Sequence, residues 1–198
     1  MAREAVNKND DYYLWERFKK GERSALSQIY YQNYPALYNY GLRLSSDSAL
    51  IKDTIQELFF DLLSRLTRLG PTDNIAVYLW TVFRRRIIHK LKQARNYSYW
   101  DHEDPVFHVE VAESPEDTII GREQEDAVSG RLRDILDELP PREREAIYLK
   151  YYQNMGYKEI SQVMGVKYSS VGKLIYRAMT TLREHGKVGL KGADEQLY

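Results

Sequence analysis

Apolar residues recur every three to four positions through nearly the whole chain, and no stretch alternates with period two long enough to make a half-buried strand. That spacing restricts the fold to an all-α class. Four helices are predicted before residue 97, at about 11–20, 24–44, 47–68 with Asp47 at its start, and 74–96 after the breaker pair Gly70-Pro71. Three or four more follow from about residue 116, separated by Pro140-Pro141, by Asn154-Met155-Gly156 and by Gly165. Residues 96–115 between the two sets carry prolines, mixed polarity and no lasting period, so they read as a flexible linker. About 20 residues reach roughly 65–70 Å when extended. The expected architecture is therefore two small helical domains, an N-terminal four-helix unit and a C-terminal helix-turn-helix unit, on one tether.

With 198 residues and 43% hydrophobic composition, the chain can bury one medium core or two small ones. The formal net charge of zero hides an uneven distribution. Residues 1–100 hold 16 basic and 10 acidic side chains, residues 101–126 hold 1 and 10, and residues 127–198 hold 12 and 9. Two basic ends thus flank an acidic middle, a pattern that suits nucleic-acid contact at both ends. Cysteine is absent, which excludes disulfide scaffolds, thiolate metal sites and cysteine nucleophiles, and fits a reducing compartment. No apolar run approaches a membrane span, and the first 20 residues lack the apolar core of a signal peptide, so a cytoplasmic protein without membrane insertion is expected. The four histidines, His89, His102, His108 and His185, lack metal-ligand spacing, and neither a phosphate-cradling glycine loop nor a nucleophile motif occurs. The expectation is a binding protein, not an enzyme, with no metal and no cofactor.

The segment YKEISQVMGVKYSSVGKLIYRAMTTLRE reads as two short helices across a tight turn. Gly165 supplies the positive φ of the turn and Val166 plugs the gap. Val171, Leu174, Ile175, Ala178 and Leu182 cluster on one side of the second helix, which leaves Ser169, Ser170, Lys173, Tyr176, Arg177 and Thr180 on the other. A helix that enters a major groove needs such donors and acceptors near its N-terminal end. Packing alone would also account for an αα-corner of this kind.

The run NIAVYLWTVFRRRIIHKLKQARN has one apolar face made of Ala76, Leu79, Trp80, Phe83, Ile87, Leu91 and Ala94, with Tyr78, Arg85, His89 and Lys92 opposite. Arg84, Arg85 and Arg86 fan over about 200° of the helix, so they cannot share one partner. No acidic residue occurs between Asn74 and Tyr99. A basic stripe with interleaved aromatics suits phosphate contact and base stacking, although a solvated charged face has the same look. Trp80 sits at the edge of the stripe, compatible with burial or with stacking. In the preceding helix, IKDTIQELFFDLLSRLTRL buries Ile51, Ile55, Leu58, Phe59, Leu62 and Leu66 and shows Asp53, Gln56, Glu57, Phe60 and Ser64 to solvent. An aromatic among carboxylates on an outer face suits a partner surface, although single exposed apolar residues are common.

Four blocks in order carry a resemblance: FKKGERSALSQIYYQNYPALYNYGLRL, DTIQELFFDLL, YLWTVFRRRIIHKLK, and LDELPPREREAIYLKYYQNMGYKEISQVMGVKYSSVGKLIYRAMTTLRE. Over about residues 10–186 the chain resembles bacterial RNA polymerase sigma factors of the sigma-70 type, and within them the two-domain extracytoplasmic-function (ECF) group. The resemblance implies a region 2-like domain at residues 10–96, a linker at 97–120 and a region 4-like helix-turn-helix domain at 121–186. It implies that Asp53, Gln56, Glu57, Phe59 and Phe60 bind core RNA polymerase. It places Asn74, Tyr78, Trp80, Arg84, Arg85, His89 and Lys92 at the promoter's minus-ten DNA, with the loop from Gly70 to Asn74 taking part in its recognition and opening. Lys167, Ser169, Ser170, Lys173, Tyr176 and Arg177 would read the minus-thirty-five element as duplex. Further implied partners are promoter DNA, duplex and melted, and an anti-sigma protein. The rival reading, a stand-alone helix-turn-helix regulator, accounts for residues 127–186 and leaves the first domain unexplained. Gly172 departs from the family's longer polar residue, which points to close backbone approach to DNA at the cost of one base-reading side chain.

Overall fold

The structure, a computed structural model, describes residues 8–94, Phe107 and residues 135–194, with side chains between residues 10 and 185. Every regular element among the described residues is helical. The order is α1 Lys8–Lys19, α2 Arg23–Leu44, α3 Ser48–Ser64, a 3-10 turn Leu66–Arg68, α4 Ile75–Ala94, α5 Pro141–Ile147 running into a π turn Tyr148–Tyr152, α6 Tyr157–Met164 and α7 Tyr168–Asp194.

The helix starts follow local chemistry. Asp47 Oδ1 accepts the N–H groups of Ala49 and Leu50 at 3.0 Å each, which satisfies two orphan donors of α3. The third helix ends earlier than its periodicity predicts, because Arg65 leaves helical geometry and the chain tightens into the 3-10 turn. At the start of α4 the cap comes from two places. Asn74 Oδ1 accepts from Val77 N–H at 3.1 Å, and Asp11 Oδ2, on α1, accepts from Ile75 N–H at 2.8 Å. Trp15 Nε1 donates to the Gly70 carbonyl at 2.8 Å, so α1 holds both ends of the 70–74 loop.

The first four helices pack Trp15, Phe18, Ile29, Leu37, Ile51, Ile55, Leu58, Leu79, Phe83 and Ile87 into one core. Gly41 is the closest crossing. A Cβ there would stand 2.6 Å from Ile51 Cγ2 and 3.1 Å from Phe83 Cζ, so α2 can approach α3 and α4 only without a side chain. In the second half, buried Arg144 organises the approach to α5. Its Nη1 donates to the Asp137 carboxylate at 2.9 Å and the Phe107 carbonyl at 2.8 Å, and its Nη2 to the Leu139 carbonyl at 2.9 Å. Gly165, with φ +66°, forms the turn between α6 and α7 as its position predicts, and Val166 packs against the core beside it.

The two helical units of the expected arrangement touch along one seam. Tyr40 of α2 meets Phe107 and Tyr148, with ring centroids 5.8 and 6.2 Å away, and itself packs on Trp80 of α4 at 4.7 Å. Phe107 lies in the segment read as an unpacked tether, yet it is buried. Its aromatic ring gains from leaving water, and the groove between the halves gives it a dry site. The remaining linker residues, 97–106 and 108–120, together with 95–96, 121–134, His102 and His108, lie outside the described residues.

Candidate nucleic-acid interface

The outer face of α3 is built by helical spacing. Asp53, Gln56, Glu57 and Phe60 line one open cavity of about 490 Å³, joined by Asp61 and by Arg86 from α4. Phe60 is 71% exposed. Phe59 is a correction to the expected set. One residue is 100° of helix, which turns Phe59 inward against the Tyr30 ring at 5.0 Å between centroids, and it is buried. Arg86 pairs with Asp61, and that hydrogen bond, with lesser help from the charges of Arg86 and Arg65, holds the Asp61 carboxyl below its ordinary range. Lys90 Nζ reaches Glu57 Oε1 at 2.8 Å.

The basic helix α4 is therefore less uncompensated than its sequence indicates. Carboxylates absent from its own run arrive from elsewhere in the fold, Asp61 and Glu57 from α3 and Glu145 from α5. The arginine fan splits as helical geometry requires. Arg84 turns to the second half, Arg86 to α3, and Arg85 stays exposed with His89 and Lys92. Tyr78 is half-buried, edge-on to Trp15 at 5.3 Å. Trp80 is 2% exposed, so stacking on an opened base is excluded in this arrangement and its role is core.

Two of the seven expected minus-ten residues, Arg84 and Asn74, bond to the other half of the chain. The Glu145 carboxylate accepts from Arg84 Nε at 2.6 Å and Nη2 at 2.8 Å, and from the Tyr40 hydroxyl. Burial, then the charge of Glu145, pushes the Tyr40 hydroxyl well above its ordinary pKa, so it remains a donor. Glu159 Oε1 accepts from Asn74 Nδ2 at 2.6 Å while its Oε2 takes the Gly156 N–H at 2.7 Å. Trp80 packs behind them on the Tyr40 ring, within the first half. Sequence reasoning missed Glu145 and Glu159, because nothing local distinguishes a carboxylate that crosses to another domain from one that faces water.

On α7, Lys167, Ser169, Lys173, Tyr176 and Arg177 are exposed and Ser170 is half-buried. Gly172 is half-buried, and a Cβ there would meet the Tyr157 ring of α6 at an ordinary 3.9 Å. Burial raises the Glu143 carboxyl, with the Arg177 charge acting in the opposite sense. Among the described residues no group of three or more histidines and carboxylates could hold a metal, and no helix is long and apolar enough to cross a membrane.

Two family profiles match the chain, sigma-70 region 2 over residues 29–97 and sigma-70 region 4 over residues 129–182. A relative from Streptomyces coelicolor, the ECF RNA polymerase sigma factor BldN, is 27% identical over 170 residues, covering 85% of this chain and 63% of its own length. Among solved structures, CnrH in complex with the cytosolic domain of CnrY aligns with a TM-score of 0.58 at 17% identity, over 90% of this chain and 97% of that one. The sigma factor RpoE in complex with the anti-sigma factor NepR, from Bartonella quintana, aligns at 0.56 and 17% identity, over 82% and 96%. These two likenesses show the shared helical fold.

Proposed function

The chain belongs to the sigma-70 family of RNA polymerase sigma factors, and from that premise we propose that it is an ECF-type promoter-specificity subunit that binds core polymerase and directs initiation without catalysis. The observation that carries this reading is the presence of both family regions in one chain, region 2 ahead of region 4, each with a polar working face at the surface. The α3 face of Asp53, Gln56, Glu57 and Phe60 docks on the polymerase. Arg85, His89 and Lys92 on α4 contact the opened minus-ten strand, where binding energy of unstacked bases drives melting. Lys173, Tyr176 and Arg177 on α7 read the minus-thirty-five duplex. The domain division at residues 10–96, 97–120 and 121–186 follows from the same reading, as does action in the cytoplasm. An anti-sigma partner is supported by RpoE having been solved with one. A stand-alone regulator is the weaker reading, since it gives the α3 face no task.

Reconstituted transcription tests the proposal. Core polymerase with the purified chain, on a library of promoter-length duplexes, is expected to give run-off transcripts from a small sequence-related subset. Duplex binding by the chain alone, with no transcript from an active core, would instead establish the stand-alone regulator.

A further inference from the structure

The loop from Gly70 to Asn74 stands between the 3-10 turn and α4, and its backbone is tied from outside. Trp15 Nε1 donates to the Gly70 carbonyl at 2.8 Å, and Asp11 Oδ2 accepts from the Ile75 N–H at 2.8 Å. Residues 11 and 15 are about one helical turn apart, so both side chains leave α1 on the same face, one for each end of the loop. Inside the loop the Asn74 N–H donates to Thr72 Oγ1 at 3.2 Å. A Cβ at Gly70 would meet nothing within 4 Å, so the Trp15 bond, and not packing on that side, holds the carbonyl in place. Pro71 and Asp73, between the two ties, are exposed.

Neither α1 residue is suited to touch a nucleic acid. Trp15 is 1% exposed, with the rings of Phe18 and Tyr78 each 5.3 Å away, so no base can reach its face. Asp11 carries a charge that repels phosphate, and it takes up a donor at the N-terminus of α4, where an anion would otherwise be attracted. Their effect is on shape. Trp15 grips the loop through its N–H and α4 through its ring on Tyr78, while Asp11 fixes the joint where the loop enters α4.

A loop that is ordered before a strand arrives accepts the base that fits its one conformation. A loose loop must be ordered at binding and accommodates several bases with similar ease. We propose that Asp11 and Trp15 are positioning residues for minus-ten selection, through which α1 holds the Gly70 to Asn74 loop in one conformation against α4 and thereby sets which base the loop accepts. This rests on the sigma-factor reading, in which the loop faces the minus-ten element.

Three variants separate positioning from general stability. Trp15→Phe keeps an aromatic ring between Phe18 and Tyr78 and deletes the N–H donor. Asp11→Ala deletes the acceptor, and Asp11→Asn restores an acceptor oxygen without the charge. Each full-length chain, with core polymerase, would be assayed for run-off on a promoter recovered from the transcription library and on its single-base minus-ten and minus-thirty-five variants. W15F and D11A are expected to lose about fivefold of the wild-type discrimination among minus-ten bases, while D11N retains it. Discrimination at minus-thirty-five and pull-down by core polymerase should match wild type in all three. Hydrogen exchange of the Ile75 amide should be roughly tenfold faster in D11A and near wild type in D11N. Wild-type minus-ten discrimination in both W15F and D11A, whatever the exchange rates, would overturn the proposal. A loss shared equally by minus-thirty-five discrimination and polymerase pull-down would show a merely structural role and overturn it as well. No transcript from the wild-type chain with an active core would overturn the sigma-factor reading and this assignment with it.

Discussion

Adjacent phenylalanines on α3 show how far one residue step separates stability from function. Phe59 packs on Tyr30 inside the core, whereas Phe60 stands in the cavity with Gln56 and Glu57. Phe59→Ala should cost about 3–5 kcal/mol of stability through transfer and cavity terms. Phe60→Ala should leave the urea midpoint within about 0.5 kcal/mol of wild type while weakening core polymerase binding severalfold. Urea titration with a polymerase pull-down separates the two, and a Phe60→Ala chain with full polymerase affinity contradicts the assignment. Periodicity made this pair legible, since it already turned Phe59 inward, and the motif's inclusion of Phe59 conflicted with it. Gly41 was not legible. A glycine inside a helix pattern gives no sign that Ile51 and Phe83 close over it, yet Gly41→Ala should cost about 1–3 kcal/mol by overpacking, measured by the same titration.

At the scale of elements, α3 and α4 are joined by Asp61 with Arg86. The folded-state carboxyl sits below its ordinary range, so its stabilising contribution is complete above that range and is lost as pH falls through it toward the folded value. The urea midpoint of Asp61→Asn is therefore expected below wild type near neutrality, with the difference closing in acid. A difference independent of pH would show that the pair contributes only by shape. The basic stripe of α4 was readable from sequence, but its compensation was not, because its partner carboxylates lie 25 to 61 residues away. On α7 the turn at Gly165 and the outward set Lys173, Tyr176 and Arg177 follow from spacing alone, while the partial burial of Ser170 does not. If Lys173 or Arg177 donates to a base edge, its replacement by Ala should weaken minus-thirty-five duplex binding by about 1–3 kcal/mol and alter preference at that position; uniform weakening with a smaller salt slope would assign a phosphate contact. Binding titrations on single-base variants distinguish these.

For the whole molecule, the order of two helical units was visible in the sequence, and their mutual packing was not. Hydrophobic periodicity reports that a face is buried without naming what buries it, so nothing in the spacing linked Tyr40 to Tyr148. Phe107 pins the connection, and with Val106, Val109 and Val111 around it nothing in the sequence set it apart. The central claim is that this chain gives core polymerase the ability to open a chosen promoter, with α4 as the opening surface. Permanganate reactivity of minus-ten thymines, on a promoter recovered from the transcription library, measures that directly. Thymines should become reactive only when core polymerase and the chain are both present, and an R85A/K92A chain should lose most of that reactivity, with a weaker salt dependence. Reactivity equal to wild type for R85A/K92A at several salt concentrations would contradict the account.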